Sequence, residues 1–261
     1  MFETLERNGR EKGVLCFGID PVLEKMKAEG RGAKEKIENY YFPMIDLLIA
    51  ENQIVSIKPN YAYFAQYGFE GLHGLKSIIE RYKGKVEVIL DAKRGDIGKS
   101  SEAYAKEAFD FWNADALTVS PYMGSDSVKP FLREGKTIYM LCRTSNPGAA
   151  DFQEKGDPQL YELVAKKALE WKTGLVVGAT SDSIKKISSI TKGQIPFLIP
   201  GIGAQGGDLE TVMSAIKAKT YIHRINASSS IAFAWEKGKS VPEKAALEEA
   251  KKLNSQIKKL S

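Results

Sequence analysis

The stretch Val86-Glu87-Val88-Ile89-Leu90-Asp91-Ala92-Lys93-Arg94-Gly95-Asp96-Ile97-Gly98 decides how the chain is read. Its apolar, β-branched first half predicts a strand over 86–91. Side chains two apart on a strand share a face, so Asp91 and Lys93 should project together. Buried charges cost several kcal/mol, on the order of what one buried pair can lose, unless they are partnered. The end of this strand is therefore either an ion-pair network beneath a loop or a functional site.

Short apolar runs recur along the chain and predict strands at 14–19, 54–58, 86–91, 116–120, 137–142, 175–178, 196–199 and 221–226. Between them lie segments of 3.6-residue periodicity, such as 33–51, 71–82, 101–112, 158–171 and 209–218, with 242–259 following the eighth strand. Strands alternating with helices imply right-handed βαβ units and a parallel sheet. Eight such units predict an α/β fold, a closed (β/α)8 TIM barrel, as one catalytic domain spanning 1–261. Barrels of about 250 residues commonly form a single domain. A doubly wound open sheet, the alternative, usually has fewer strands.

Composition narrows the function classes. Of the 261 residues 43% are hydrophobic and 27% charged, which is ample for a packed core. The net charge of +5 comes from dispersed lysines, densest over 243–259, with no basic block interleaved with aromatics. That argues against a nucleic-acid groove. No apolar run approaches the length of a membrane span, and the acidic, polar start lacks a signal-peptide core. Cys16 and Cys142 each sit in an apolar run, which predicts reduced core thiols and a cytoplasmic location.

In a barrel of this kind the carboxyl ends of the strands carry the site. Reading only those ends gives Asp20, Lys58, Asp91 with Lys93 and Asp96, Ser120, Thr144 with Asn146, Ser181 with Asp182, Gln205, and Asn226 with Ser228. Loops 143–156 and 200–208 are rich in Gly, Pro and Asn. Segments 200–208 and 226–230 follow strands seven and eight, where barrels often hold a phosphate on backbone amides and a helix start. Pro200, Gln205, Ser228 and Ser229 are the candidates there.

Other patterns fail on context. Gly201-x-Gly203-x-x-Gly206 matches a dinucleotide pattern but sits at the seventh strand without the acidic residue some twenty positions on. Gly98-Lys99-Ser100 lacks the first glycine of a P-loop, that position being Lys93. His73 and His223 have no metal-ligand spacing. Asp91 and Asp96 could attract Mg²⁺, but Lys93 between them competes for the same charge.

The ordered rim motifs resemble orotidine 5′-phosphate decarboxylases, and specifically the longer bacterial subfamily. They are Phe17-Gly18-Ile19-Asp20-Pro21, Ile57-Lys58-Pro59-Asn60, the D-x-K-x-x-D run Asp91–Asp96, Thr118-Val119-Ser120-Pro121-Tyr122, Leu141-Cys142-Arg143-Thr144-Ser145-Asn146-Pro147-Gly148 and Pro200–Asp208. The resemblance covers nearly the whole chain and implies conversion of orotidine 5′-phosphate to UMP and CO2 in pyrimidine biosynthesis, with neither cofactor nor metal. It implies that Asp20 binds the ribose hydroxyls, that Lys58 and Asp91 flank the reacting region, and that Lys93 protonates C6. It further implies a homodimer with shared sites, in which Asp96, Ile97 and Ser100 enter the partner's site. Ser120 would contact the pyrimidine, and Gln205 would close over the phosphate.

The chemistry stands beside that resemblance. Loss of CO2 leaves a carbanion with no electron sink, so preorganised charge must stabilise it, and an ammonium near the carbon does so. Flanking carboxylates keep that ammonium protonated. The sequence departs from the family at Ser229, where a phosphate-gripping arginine usually stands; Arg143 and Arg224 are the cations that could substitute. Two other readings compete: a Mg²⁺-dependent sugar-phosphate decarboxylase or synthase of the same suprafamily, and a catalytically silent phosphate-binding barrel.

Overall fold

A computed structural model describes residues 2–179, 182–202, 208–238 and 240–261. Eight parallel strands close on themselves in chain order, β1 pairing with both β2 and β8. They are β1 (Leu15–Ile19), β2 (Ser56–Pro59), β3 (Glu87–Arg94), β4 (Ala116–Val119), β5 (Thr137–Arg143), β6 (Gly174–Val177), β7 (Phe197–Pro200) and β8 (Arg224–Ala227). The fold is a (β/α)8 barrel.

The packing follows from the sequence pattern. β1, β2, β4, β6 and β8 are buried on both faces, as expected when helices cover a parallel sheet and side chains fill its interior. Cys16, Ile89, Ala116, Tyr139, Val176 and Leu198 pack together from six strands, and Leu5 and Ile222 complete this smaller cluster. The larger core lies between strands and helices; the helix Ala33–Ala50, for instance, buries Ile37, Tyr41, Met44, Ile45 and Leu48. The polar start of the chain is an amphipathic helix, Glu3–Lys12, which buries Leu5. Both cysteines are buried free thiols, and burial pushes the Cys16 thiol up to about 12.

Strand positions agree with the pattern to within three residues, β3 ending three residues later than expected and β8 starting three later. Its expected start at 221 falls in a 3-10 turn, Lys217–Ile222. His223, expected inside the strand, precedes it: its ring is buried and Nδ1 accepts the Phe197 N–H at 3.0 Å. Burial pushes the imidazole down to about 3, with the Arg224 charge adding to the effect. The helix expected over 101–112 begins at Gly98 and ends in a single π-helical turn, Glu107–Phe111.

One irregularity lies in the stretch quoted first. Against β4, Leu90 pairs with Leu117 but Arg94 with Val119, so β3 advances four residues while β4 advances two. The two extra residues are absorbed in a bulge at which Lys93 takes φ +48°, a conformation uncommon outside glycine.

Candidate active site

The bulge aims the charged side chains. Asp91 is buried at the mouth of the barrel between two ammonium groups: Lys58 Nζ donates to its Oδ2 at 2.8 Å and Lys93 Nζ to its Oδ1 at 2.7 Å. Lys58 comes from the end of β2 and is buried, whereas the Lys93 side chain is 49% exposed and forms the open end of the array. Burial alone would raise the Asp91 carboxyl, but Lys58 and Lys93 outweigh it and hold the group well below the usual carboxylate range. Burial would likewise lower Lys58, yet Asp91, with Asp20 behind it, holds its ammonium above the ordinary value.

Thr118 is the member that the sequence reading missed. Its Oγ1 accepts the Lys93 N–H at 2.9 Å and donates to Asp91 Oδ1 at 2.9 Å. One hydroxyl thus ties the left-handed backbone at Lys93 to the carboxylate that Lys93 pairs with. Nothing in an apolar β4 pattern distinguishes such a threonine from a β-branched core residue.

The array opens into a cleft of about 300 Å³ lined by Asp20, Lys58 and Asp91 on one side and by Pro200, Asn226, Ser228 and Ser229 on the other. Asn60, Tyr63 and Phe233 also line it, and none of these three was among the expected site residues. Asp20 Oδ1 and Asn226 Oδ1 are buried acceptors without a hydrogen-bond partner among the described residues. Buried polar atoms are rarely left so, and two of them facing one cleft suit a ligand carrying hydroxyl donors. Close approach here depends on Gly18, where an added Cβ would lie 1.9 Å from Ser228 Oγ.

At the other end of the cleft the expected anion-binding segments follow β7 and β8. Gly201 turns the chain at φ +105° after Pro200, and Ser228 precedes the short helix Ser229–Ala232, whose first amides have no intrahelical partner. Gln205, with Gly203–Gly207 around it, lies outside the described residues, as does Ser181.

Neither substitute arginine serves this end. Arg224 is fully buried at the start of β8, bonded through Nε to Glu87 at 2.7 Å and through its other nitrogens to the carbonyls of Leu5 and His223. Glu87 is the first residue of β3 and Leu5 belongs to the amino-terminal helix, so Arg224 is held at the amino-terminal end of the barrel, away from the loops. Arg143 stands at the end of β5 but bonds Glu154 at 2.9 Å and the Thr144 carbonyl, so it organises its own loop. Lys58 is the one cation among the described residues lining the cleft, and it is committed to Asp91.

Ser120 sits just beyond β4, its N–H bonded to the Arg94 carbonyl. Asp96, Ile97 and Ser100 do not join the array within the chain. Asp96 Oδ1 accepts the Ile97 N–H, Ile97 is 59% exposed, and Ser100 is exposed in the first turn of the helix Gly98–Lys106. Among the described residues no group of three or more His, Cys, Asp or Glu is arranged to hold a metal ion. No helix among them is long and apolar enough to cross a membrane.

Fold and site together define a class: a (β/α)8-barrel enzyme whose polar chemistry is a lysine–aspartate–lysine array at the carboxyl ends of β2 and β3. Within that class, residues 44–243 match the Orotidine 5'-phosphate decarboxylase / HUMPS family, and the chain belongs to it. The orotidine 5'-phosphate decarboxylase of Ralstonia pickettii is 44% identical over 237 residues, 86% of each chain. Among solved structures, Leishmania donovani OMP decarboxylase superposes with a TM-score of 0.81 at 33% identity, covering 99% of this chain and 98% of that one. Leishmania donovani UMP synthase gives 0.84 at 34% identity; 99% of this chain is covered, but only 56% of that longer one.

Proposed function

We propose that this chain converts orotidine 5′-phosphate to UMP and CO2, with Lys93 protonating the carbanion left at C6. The observation that carries the reading is Asp91, at the cleft wall, held between two ammonium groups, Lys58 buried and Lys93 half exposed. A carboxylate bound in the cleft would meet Asp91 at close range, and that repulsion leaves with CO2. Charge developing on the carbon meets the Lys93 ammonium, which needs no reorganisation because Asp91 and the bulge already fix it. Lys58 keeps Asp91 ionised throughout. The unpartnered Asp20 and Asn226 oxygens suit the ribose hydroxyls, Ser120 the base, and Pro200, Gln205, Ser228 and Ser229 the phosphate.

Asp96, Ile97 and Ser100 complete the site in a second copy of the chain. Their separation from the array, together with the exposed side chains of Ile97 after β3 and of Tyr122 and Met123 after β4, supports a homodimer with shared sites. The two buried free thiols fit a cytosolic protein.

Loss of orotidine 5′-phosphate absorbance tests the assignment. Purified enzyme should turn over fully in EDTA, and activity lost to the chelator would favour the Mg²⁺-dependent reading. No turnover by the wild type would leave a silent phosphate-binding barrel. Lys93→Ala and Asp96→Ala should each be inactive, and their mixture should recover about a quarter of wild-type activity, because half the random dimers carry one intact shared site. No recovery on mixing would overturn the shared site.

A further inference from the structure

We infer that Arg94 is a positioning residue for Lys93. The inference rests on the role of Lys93 proposed above. The two neighbours diverge: Lys93 reaches into the barrel mouth, and Arg94 reaches out into the helical layer. Arg94 Nε donates to Glu107 Oε2 at 3.0 Å and its terminal nitrogen to Oε1 at 2.7 Å, a bidentate fork with both partners largely buried. The guanidinium also lies between two rings, 4.4 Å from the centroid of Tyr61 and 4.8 Å from that of Tyr104. Glu107 is fixed in turn by the Trp112 Nε1–H at 3.1 Å and opens the π-helical turn. Such turns are local distortions that recur at functional sites.

What this clamp secures is the far edge of the bulge. The strand leaves its register after Leu90 and regains it at Arg94, whose carbonyl accepts the Ser120 N–H at 2.8 Å. Between those points Lys93 is held left-handed. A non-glycine residue in that conformation is strained and persists only where its surroundings dictate it. Thr118 holds the near side and Arg94 the far side. Released from the fork, the segment can relax to an ordinary strand angle, which swings the Lys93 ammonium away from Asp91 without disturbing the cleft walls that bind nucleotide.

Arg94→Lys keeps the charge but loses the fork and the stacking. The expected result is a kcat for orotidine 5′-phosphate lowered about tenfold, with KM and the calorimetric affinity for UMP within about twofold of wild type. Glu107→Gln, which keeps one acceptor, should show the same split at about threefold, and it serves if the arginine variant folds poorly. A purely structural clamp predicts a lower melting temperature with kcat per folded enzyme intact, and that outcome overturns the inference. So does a parallel loss of UMP affinity, which would mean that the whole cleft had collapsed. Wild type without turnover refutes instead the decarboxylase reading and is distinguishable from either.

Discussion

Replacing Thr118 by valine isolates the hydroxyl that links the bulge to the buried carboxylate. The two side chains have the same shape, and Thr118 is 1% exposed, so no cavity opens and no surface changes. What is lost is one acceptor for the Lys93 N–H and one donor to Asp91 Oδ1, both at 2.9 Å. A part-buried amide left without a partner costs about 1–3 kcal/mol, and a hydrogen bond to a charged group is worth about 1.5–3 kcal/mol. Asp91 keeps both ammonium partners, which offsets part of the second loss. The net expectation is destabilisation of about 2–3 kcal/mol by urea unfolding at pH 7. The kcat for orotidine 5′-phosphate should drop at least tenfold with KM little changed, since Lys93 loses its near-side anchor. Thr118→Ser keeps the hydroxyl and should retain most of the activity. A valine variant within about 0.5 kcal/mol of wild type and twofold in kcat would refute the claim that this hydroxyl organises the array.

Two further expectations follow from charges elsewhere. Ser229 is exposed at the mouth of the cleft, and neither Arg143 nor Arg224 can reach that end, so Ser229→Arg should lower KM for orotidine 5′-phosphate about tenfold with kcat little changed. An unchanged or raised KM would mean that another cation already serves the phosphate. Buried His223 is neutral down to about pH 3, while an unfolded histidine titrates near 6.5. Its folded value is depressed, so between those limits the unfolded chain binds the extra proton and stability falls on acidification at about 1.4 kcal/mol per pH unit. Wild type should lose about 2 kcal/mol more than His223→Gln between pH 7 and pH 5, above the range in which Asp91 contributes. Equal acid sensitivity in the two proteins would show that His223 is not the group responsible.

Much of this was legible in the sequence because the relevant signals are local. Buried parallel strands read as continuous apolar runs, and eight of them interleaved with helical periodicity leave few folds open. The side chains at their carboxyl ends, Asp20, Lys58, Asp91 and Lys93, could therefore be gathered at one rim without coordinates. What escaped depends on contacts remote in sequence or on backbone angles. Thr118 looks like any β-former until it is set beside Asp91, 27 residues away. The left-handed angle at Lys93 carries no residue signature, since glycine, its usual mark, stands at Gly95 instead. Arg224 could be suspected of binding phosphate only while its depth in the barrel was unknown, because Glu87 lies 137 residues away. The start of β8 was misplaced because Tyr221 and Ile222 suit a 3-10 turn packed against the amino-terminal helix as well as they suit a strand.

The barrel holds a buried charge network at each end, and their difference answers the question first posed by the quoted stretch. At the amino-terminal end Arg224 bonds Glu87 and the carbonyls of Leu5 and His223, and both partners are buried. Each charge of that pair is answered within the protein, which is what a structural ion pair must do to offset its desolvation. At the carboxyl-terminal end Lys58 and Asp91 satisfy each other, but Lys93 is half open, Asp20 and Asn226 keep acceptors without partners among the described residues, and the backbone at Lys93 is left-handed. Strain and unmet polar atoms destabilise a fold and are retained where something else completes them. Of the two readings that charged residues at a strand end allow, the pair at Glu87 fits the structural one, and the array at Asp91, four residues further along the same strand, fits the proposed substrate site.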